Sequence, residues 1–167
     1  MLKIGKDLSK FSTRSEKPST KDELTSIIEN RMRKYGNDCD LNDIDISLIT
    51  DMTHLFFGSE FNGNISRWDT SHVTDMSYMF ANSNFNGDIS NWDTSNVLYM
   101  SFMFYDARFN QDISKWNVSN VRFMSQMFNK SKFNKDISNW SINKMCNVDA
   151  MFRNCMIENE YKPILPK

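Results

Sequence analysis

From Phe61 onward the apolar residues return to the same places every 24 positions. Aligning 61–84, 85–108, 109–132 and 133–156 puts Phe61, Phe85, Phe109 and Phe133 in one column and Ile65, Ile89, Ile113 and Ile137 in the next. Trp68, Trp92, Trp116 and Trp140 form a third. Val73, Val97, Val121 and Met145 follow, then Met76, Met100, Met124 and Val148. Met79, Met103, Met127 and Met151 precede a last column of Phe80, Phe104, Phe128 and Phe152. A degenerate copy at about 37–60 supplies Leu41, Ile44, Ile49, Met52, Leu55 and Phe56. A period of this length marks a repeat architecture, in which each copy buries its apolar side against its neighbours.

Spacing within a copy predicts the local elements. Around Trp68-Asp69-Thr70 the pattern alternates. The Thr70 column also holds Ile46, Thr94, Val118 and Ile142, whereas the Asp69 column holds Asp45, Asp93, Asn117 and Ser141. One faces inward and the other water, as in a short strand. Val73, Met76, Met79 and Phe80 then recur at i, i+3, i+6 and i+7, the spacing of one helix face. Ser47, Ser71, Ser95, Ser119 and Asn143 stand just before it and suit helix N-caps. The expected fold is therefore α/β, a leucine-rich-repeat-like solenoid of about five 24-residue coils with one short strand and one short helix each. Ile65-x-x-Trp68-x-Thr70 copies the L-x-x-L-x-L core of that class.

The expected organisation is a loose tail at 1–18, an N-terminal capping helix at 19–36, repeats at 37–156 and a C-terminal cap at 157–167. Thr20 and Glu23 form a candidate capping box, and Gly36 ends the helix. Leu24, Ile27, Ile28, Arg31, Met32 and Tyr35 make its inner stripe. Tyr161, Ile164 and Leu165 can cover the other end, where Pro163 and Pro166 discourage further pairing.

The copies share F-N-x-D-I-S-x-W-D-T-S-N-V-x-x-M-x-x-M-F. This motif resembles the repeat of the BspA-like leucine-rich-repeat surface proteins of bacteria, over about 37–156. The leading helix and the stretch NDCDLNDID resemble the same family. The resemblance implies a scaffold for adhesion or other protein contacts, with no cofactor and no catalytic residues to carry over.

Composition narrows the function. The chain has 167 residues, is 25% charged and 40% hydrophobic, and carries a net charge of -1. These values fit one folded domain and give no overall attraction to nucleic acid or anionic membrane. Charge is uneven: residues 1–36 hold nine Lys/Arg against five Asp/Glu, and the remainder eleven against sixteen. Cys39, Cys146 and Cys155 have no metal or disulfide spacing, so a reducing compartment is expected. Read as a whole chain, without an export signal or a membrane-spanning run, it is expected in the cytosol. His54 and His72 occupy different repeat positions, and no phosphate loop or nucleophile elbow occurs. The chain is read as a non-enzyme without cofactor or metal. The Asp45, Asp69, Asp93 column is read as turn-stabilising rather than cation-binding, because Asn117 and Ser141 interrupt it. Ile44 stands in the Trp column, so the tryptophans are read as core and not as stacking platforms.

Candidate function lies where the copies disagree. Outward columns read Asp51, Asp75, Tyr99, Phe123, Asn147; His54, Tyr78, Phe102, Gln126, Ala150; and Phe57, Ala81, Tyr105, Asn129, Arg153. In the middle copies they bring together Tyr78, Leu98, Tyr99, Phe102, Tyr105 and Phe123. Such a patch marks a protein-binding surface; alternatively, the rings fill grooves between neighbouring short helices. The expected function is a protein-binding module, of which an inhibitor or effector from a mobile element acting on a host enzyme is one form. The same patch would also serve a homodimer. A surface adhesin whose export signal lies outside this sequence is the second reading. Nucleic-acid binding through Arg31, Arg33, Lys34 and the basic tail is the third.

Overall fold

The structure, a computed structural model, describes residues 16–166. One α-helix, α1 (Lys21–Tyr35), leads into the repeats, and a single 3-10 turn, Asn159–Tyr161, follows them. Among the described residues the repeats contain no further helix and no strand. The expected α/β solenoid, with a strand and a helix in each coil, is therefore wrong at the level of its elements. What joins the copies is a row of isolated parallel bridges, Asp51 to Asp75, Asp75 to Tyr99, Tyr99 to Phe123 and Phe123 to Asn147. Each copy is a coil of turns. We number them coil 1 (37–60), coil 2 (61–84), coil 3 (85–108), coil 4 (109–132) and coil 5 (133–156).

The backbone explains why no helix forms. In coil 2 the N–H groups of Met76, Tyr78, Phe80 and Asn82 donate to the carbonyls of Tyr99, Ser101, Met103 and Tyr105 in coil 3, at 2.8–3.0 Å. Coils 1, 3 and 4 repeat the arrangement. A helix would direct these donors to its own residues four back; here alternate donors leave the coil. The intervening ones close tight turns, Met79 to Met76, Ala81 to Tyr78 and Ser83 to Phe80. Two residues four apart in each coil sit in the left-handed region, among them Tyr78 and Asn82 in coil 2 and Phe102 and Asp106 in coil 3. Apolar residues three and four apart thus share a face without a helix. The expected strand fails likewise: Trp68 N–H bonds to the Ile65 carbonyl and Val73 N–H to Thr70, so turns occupy that segment.

The inward columns are core. Phe80, Phe85, Phe104, Phe109, Phe128 and Phe133 are fully buried, and the four tryptophans are 4–5% exposed. Rings stack from coil to coil: Phe80 to Phe104 at 5.7 Å, Phe104 to Phe128 at 5.6 Å and Trp92 to Trp116 at 6.5 Å. Buried indole N–H groups need acceptors. Trp68, Trp92, Trp116 and Trp140 donate to the carbonyls of Leu41, Ile65, Ile89 and Ile113, each one coil back.

Polar letters of the motif satisfy the backbone between these columns. Asn62, Asn86, Asn110 and Asn134 each accept, through Oδ1, the N–H of the residue 24 positions on. Asp45, Asp69, Asp93 and Asn117 accept the N–H of Ser47, Ser71, Ser95 and Ser119. The serines expected to cap helices therefore close turns instead, and the aspartate column is the turn-former it was read to be. Asp40, Asn64, Asp88, Asp112 and Asp136 close a second set of turns.

Coil 5 departs from the register. Met145, expected in the core, is 85% exposed, and Cys146 takes the buried place of Val121. Asn143 sets this shift: its side chain accepts Met145 N–H and its carbonyl accepts Cys146 N–H. Desolvation raises the Cys146 thiol to about 11.

Helix α1 covers coil 1. Thr20 caps it through Glu23 N–H at 3.2 Å, while the Glu23 carboxylate returns to Ser19 N–H at 2.7 Å. Leu24 and Ile28 are buried, Ile27 and Met32 partly so. Tyr35, expected in the stripe, is 58% exposed. Of the expected tail, residues 1–15 lie outside the described residues. Glu16 to Pro18 are fixed against coil 1: Pro18 is buried, Asp45 N–H donates to the Glu16 carbonyl, and Lys17 pairs with Asp45 at 2.9 Å.

Candidate functional site: an outer aromatic surface

Two outward columns build the surface. The first holds His54, Tyr78 and Phe102, whose rings stack face to face at 4.7 and 4.5 Å. The second holds Tyr99 and Phe123, stacked at 5.3 Å and 39% and 42% exposed. Tyr105 leans against Phe102 at 5.8 Å, with Lys130 Nζ 5.3 Å from its ring. Leu98 is half-buried, as are Tyr78, Phe102 and Tyr105. All six sequence-selected residues thus lie on the outer side of coils 2–4. The groove-filling reading describes the half-buried rings in part, but not Tyr99 and Phe123. His54 and the half-exposed Phe57 extend the row onto coil 1. The sequence signal for these two is the same outward columns, which hold His54 and Phe57 in the first copy.

Both columns put rings where the backbone or the turn favours other residue types. His54, Tyr78, Phe102, Gln126 and Ala150 all have φ between 51° and 60°. The other left-handed column holds Gly58, Asn82, Asp106, Lys130 and Asn154, mostly residue types that tolerate it. A ring held at such φ costs about 1–2 kcal/mol relative to ordinary backbone. In the second column, Asp51, Asp75 and Asn147 accept the N–H of the residue two ahead, at 2.8–3.0 Å. Tyr99 and Phe123 cannot, and the N–H groups of Ser101 and Ser125 have no protein acceptor among the described residues. Two neighbouring coils therefore give up a turn bond for an exposed ring.

His54 is stacked on Tyr78, and His72 Nδ1 lies 3.0 Å from Ser71 Oγ. Among the described residues no three His, Cys, Asp or Glu side chains converge as a metal site. Of the basic residues on α1, Arg31 pairs with Glu16 at 2.7 Å and Asp43 at 2.8 Å and Lys21 with Asp51 at 3.0 Å, whereas Arg33 and Lys34 are exposed, Arg33 bonding to Asn30 and Lys34 lying over the Tyr35 ring. The bonds to Asp43 and Glu16 hold the Arg31 guanidinium above its ordinary range. Hydrogen bonds from Ser47 and Lys17 bring Asp45 down to about 2. Ser71, Ser95 and Ser114 lower Asp69, Asp93 and Asp112 in the same way.

The fold and this surface define a class: a repeat protein of stacked turns with an aromatic outer face. A family model, described as Mycoplasma protein of unknown function, DUF285, matches residues 24–108 and again 106–161. The chain belongs to that family. No curated protein and no solved structure matches it. Among the described residues no helix is long and apolar enough to cross a membrane.

Proposed function

We propose that the chain is a non-catalytic binding module that docks a protein through Tyr78, Leu98, Tyr99, Phe102, Tyr105 and Phe123. The observation that carries this reading is the double departure described above. Rings occupy left-handed positions and replace turn-forming residues in adjacent coils, although each choice costs local stability; departures of this kind concentrate at functional places. Ring stacking also favours a protein over a base or sugar. The faces of Tyr78 and Phe102 are largely taken by their neighbours, leaving edges that suit apolar side chains. The BspA-like character of the motif supports protein contact too. An inhibitor or effector acting on a host enzyme is one form of this function; adhesion at a cell surface is the alternative.

The test follows from the coil's own rules. Tyr99→Asn copies Asn147 and restores the turn bond, and Phe102→Asn places a tolerant residue at a left-handed position. The double variant should fold at least as stably as the parent and lose its partner in affinity capture from the native host's extract. Undiminished capture, or a parent chain that retains nothing stoichiometric, rejects the reading. A parent that is dimeric by light scattering and a variant that is monomeric would give the surface to self-association instead.

A further inference from the structure

The stack has a polarity, and it points to a second interaction surface independent of the aromatic one. Across each junction between coils, four N–H donors on the earlier coil meet four carbonyls on the later one. In coil 5 the corresponding donors are Val148, Ala150, Phe152 and Asn154, and none has an acceptor among the described residues. The C-terminal segment does not cover them. It runs mainly over the other half of coil 5, where Tyr161 O accepts Ile137 N–H and Ile164, Leu165 and Pro166 line a cleft with Trp140 and Ile142; on the open half it places Lys162 Nζ 5.9 Å from the Phe152 ring. The open half also keeps apolar residues partly uncovered: Val148 and Phe152 are partly buried, whereas Met76, Met100, Phe80 and Phe104 in the same columns are fully buried. Flanking charge is balanced, with Lys144, Arg153 and Lys162 against Asp149, Glu158 and Glu160, so charge does not choose the occupant.

The backbone does choose it. An extended strand alternates N–H and C=O along its edge, so half its groups would face donors with donors. Two copies of this end fail together for the same reason. A row of carbonyls alone is required, beside an apolar column, and the molecule contains one. At the opposite end the carbonyls of Asp51, Thr53, Leu55 and Phe57 accept no bond among the described residues. They belong to coil 1, beneath α1, whose Thr25, Ile28 and Met32 share a cleft with Leu55, Phe56 and Phe57.

We propose that the open end of coil 5 receives coil 1 of a second copy, and that α1 blocks this by occupying the coil 1 face. Association would be head to tail and heterologous, so it would extend rather than close. Helix α1 is then a gate on assembly as well as a cover.

A protease site introduced between Gly36 and Asn37 tests this on the folded chain. The uncut protein should be monomeric by light scattering. After cutting and release of residues 1–36, with the circular dichroism retained, its mass should rise to multiples of one chain. Phe152→Asp should keep the cut protein monomeric. A cut, folded protein that stays monomeric overturns the proposal, as does assembly that survives Phe152→Asp. If cutting unfolds the chain, amide exchange on the uncut protein decides. The amides of Val148, Ala150, Phe152 and Asn154 should exchange roughly 100-fold faster than those of Met100, Phe102, Phe104 and Asp106. Equal protection means the donor row is already satisfied and ends the proposal.

Discussion

The two ends of the stack solve one problem differently. At the N-terminal end, coil 1 presents carbonyls and apolar residues, and α1 buries Leu24 and Ile28 against them while Lys17, Lys21 and Arg31 pair with Asp45, Asp51 and Asp43. At the C-terminal end, a segment with no more than the 3-10 turn Asn159–Tyr161 covers mainly the Trp140 side, and Met145, Met156 and Ile164 stay 85%, 61% and 91% exposed. One end is closed by packing and ion pairs; the other keeps an open donor row. Coils with nearly identical interiors can thus end in surfaces of different character, because stacking gives the array a direction.

This contrast can be broken by substitution. Leu24→Ala removes a fully buried side chain beneath α1 and should lower stability by about 2–5 kcal/mol in urea denaturation. Phe152→Ala at the open end should lose less, about 1–2 kcal/mol, because only part of that ring has left water. Equal losses would show that the two ends are equally closed. Thr20→Ala removes the α1 cap and should cost about 1 kcal/mol. Ile164→Ser should change stability by no more than about 0.5 kcal/mol, since its side chain lies in solvent.

Acid separates covers from coils. Asp69, Asp93 and Asp112 are held below the ordinary carboxylate range by hydrogen bonds from Ser71, Ser95 and Ser114, and Asp45 stands at about 2. A carboxylate depressed by folding adds stability above its unfolded value, and that stability is lost as pH falls through the folded value. Melting temperature should therefore be level from neutral pH to about 5 and drop below about 4. Replacing Asp69 and Asp93 together by Asn should flatten this drop, as Asn117 closes the same turn without titrating.

The sequence disclosed the core and the first cover because both rest on which residues leave water. The Phe, Ile, Trp and Met columns and the helix between Thr20 and Gly36 follow from that alone. Local conformation was less legible. Val73, Met76 and Met79 have helical spacing, but a chain of tight turns spaces its inward residues alike. The deciding fact, that alternate N–H groups serve the neighbouring coil, leaves no trace in side-chain periodicity. Tyr78 and Phe102 hid it further, because aromatic residues do not announce a left-handed backbone as Asn82 or Gly58 do. At Met145 the column alignment predicted burial; one shifted turn at Asn143 gave the place to Cys146. The aromatic surface was visible as variation between copies, while its local cost became visible only beside Asp75 and Asn147.

Residue-resolved amide hydrogen exchange on the intact chain tests the central claim most directly. Coils joined by alternate donors should show slow exchange at Met76, Tyr78, Phe80 and Asn82, and again at the matching residues of coils 3 and 4. Ser101 and Ser125, whose N–H groups have no protein acceptor among the described residues, should exchange faster than Ser77, which bonds to Asp75, and Val148, Ala150, Phe152 and Asn154 fastest of all. Protection of Ser101 and Ser125 equal to that of Met100 and Phe102 would mean helices in the coils and would contradict the account.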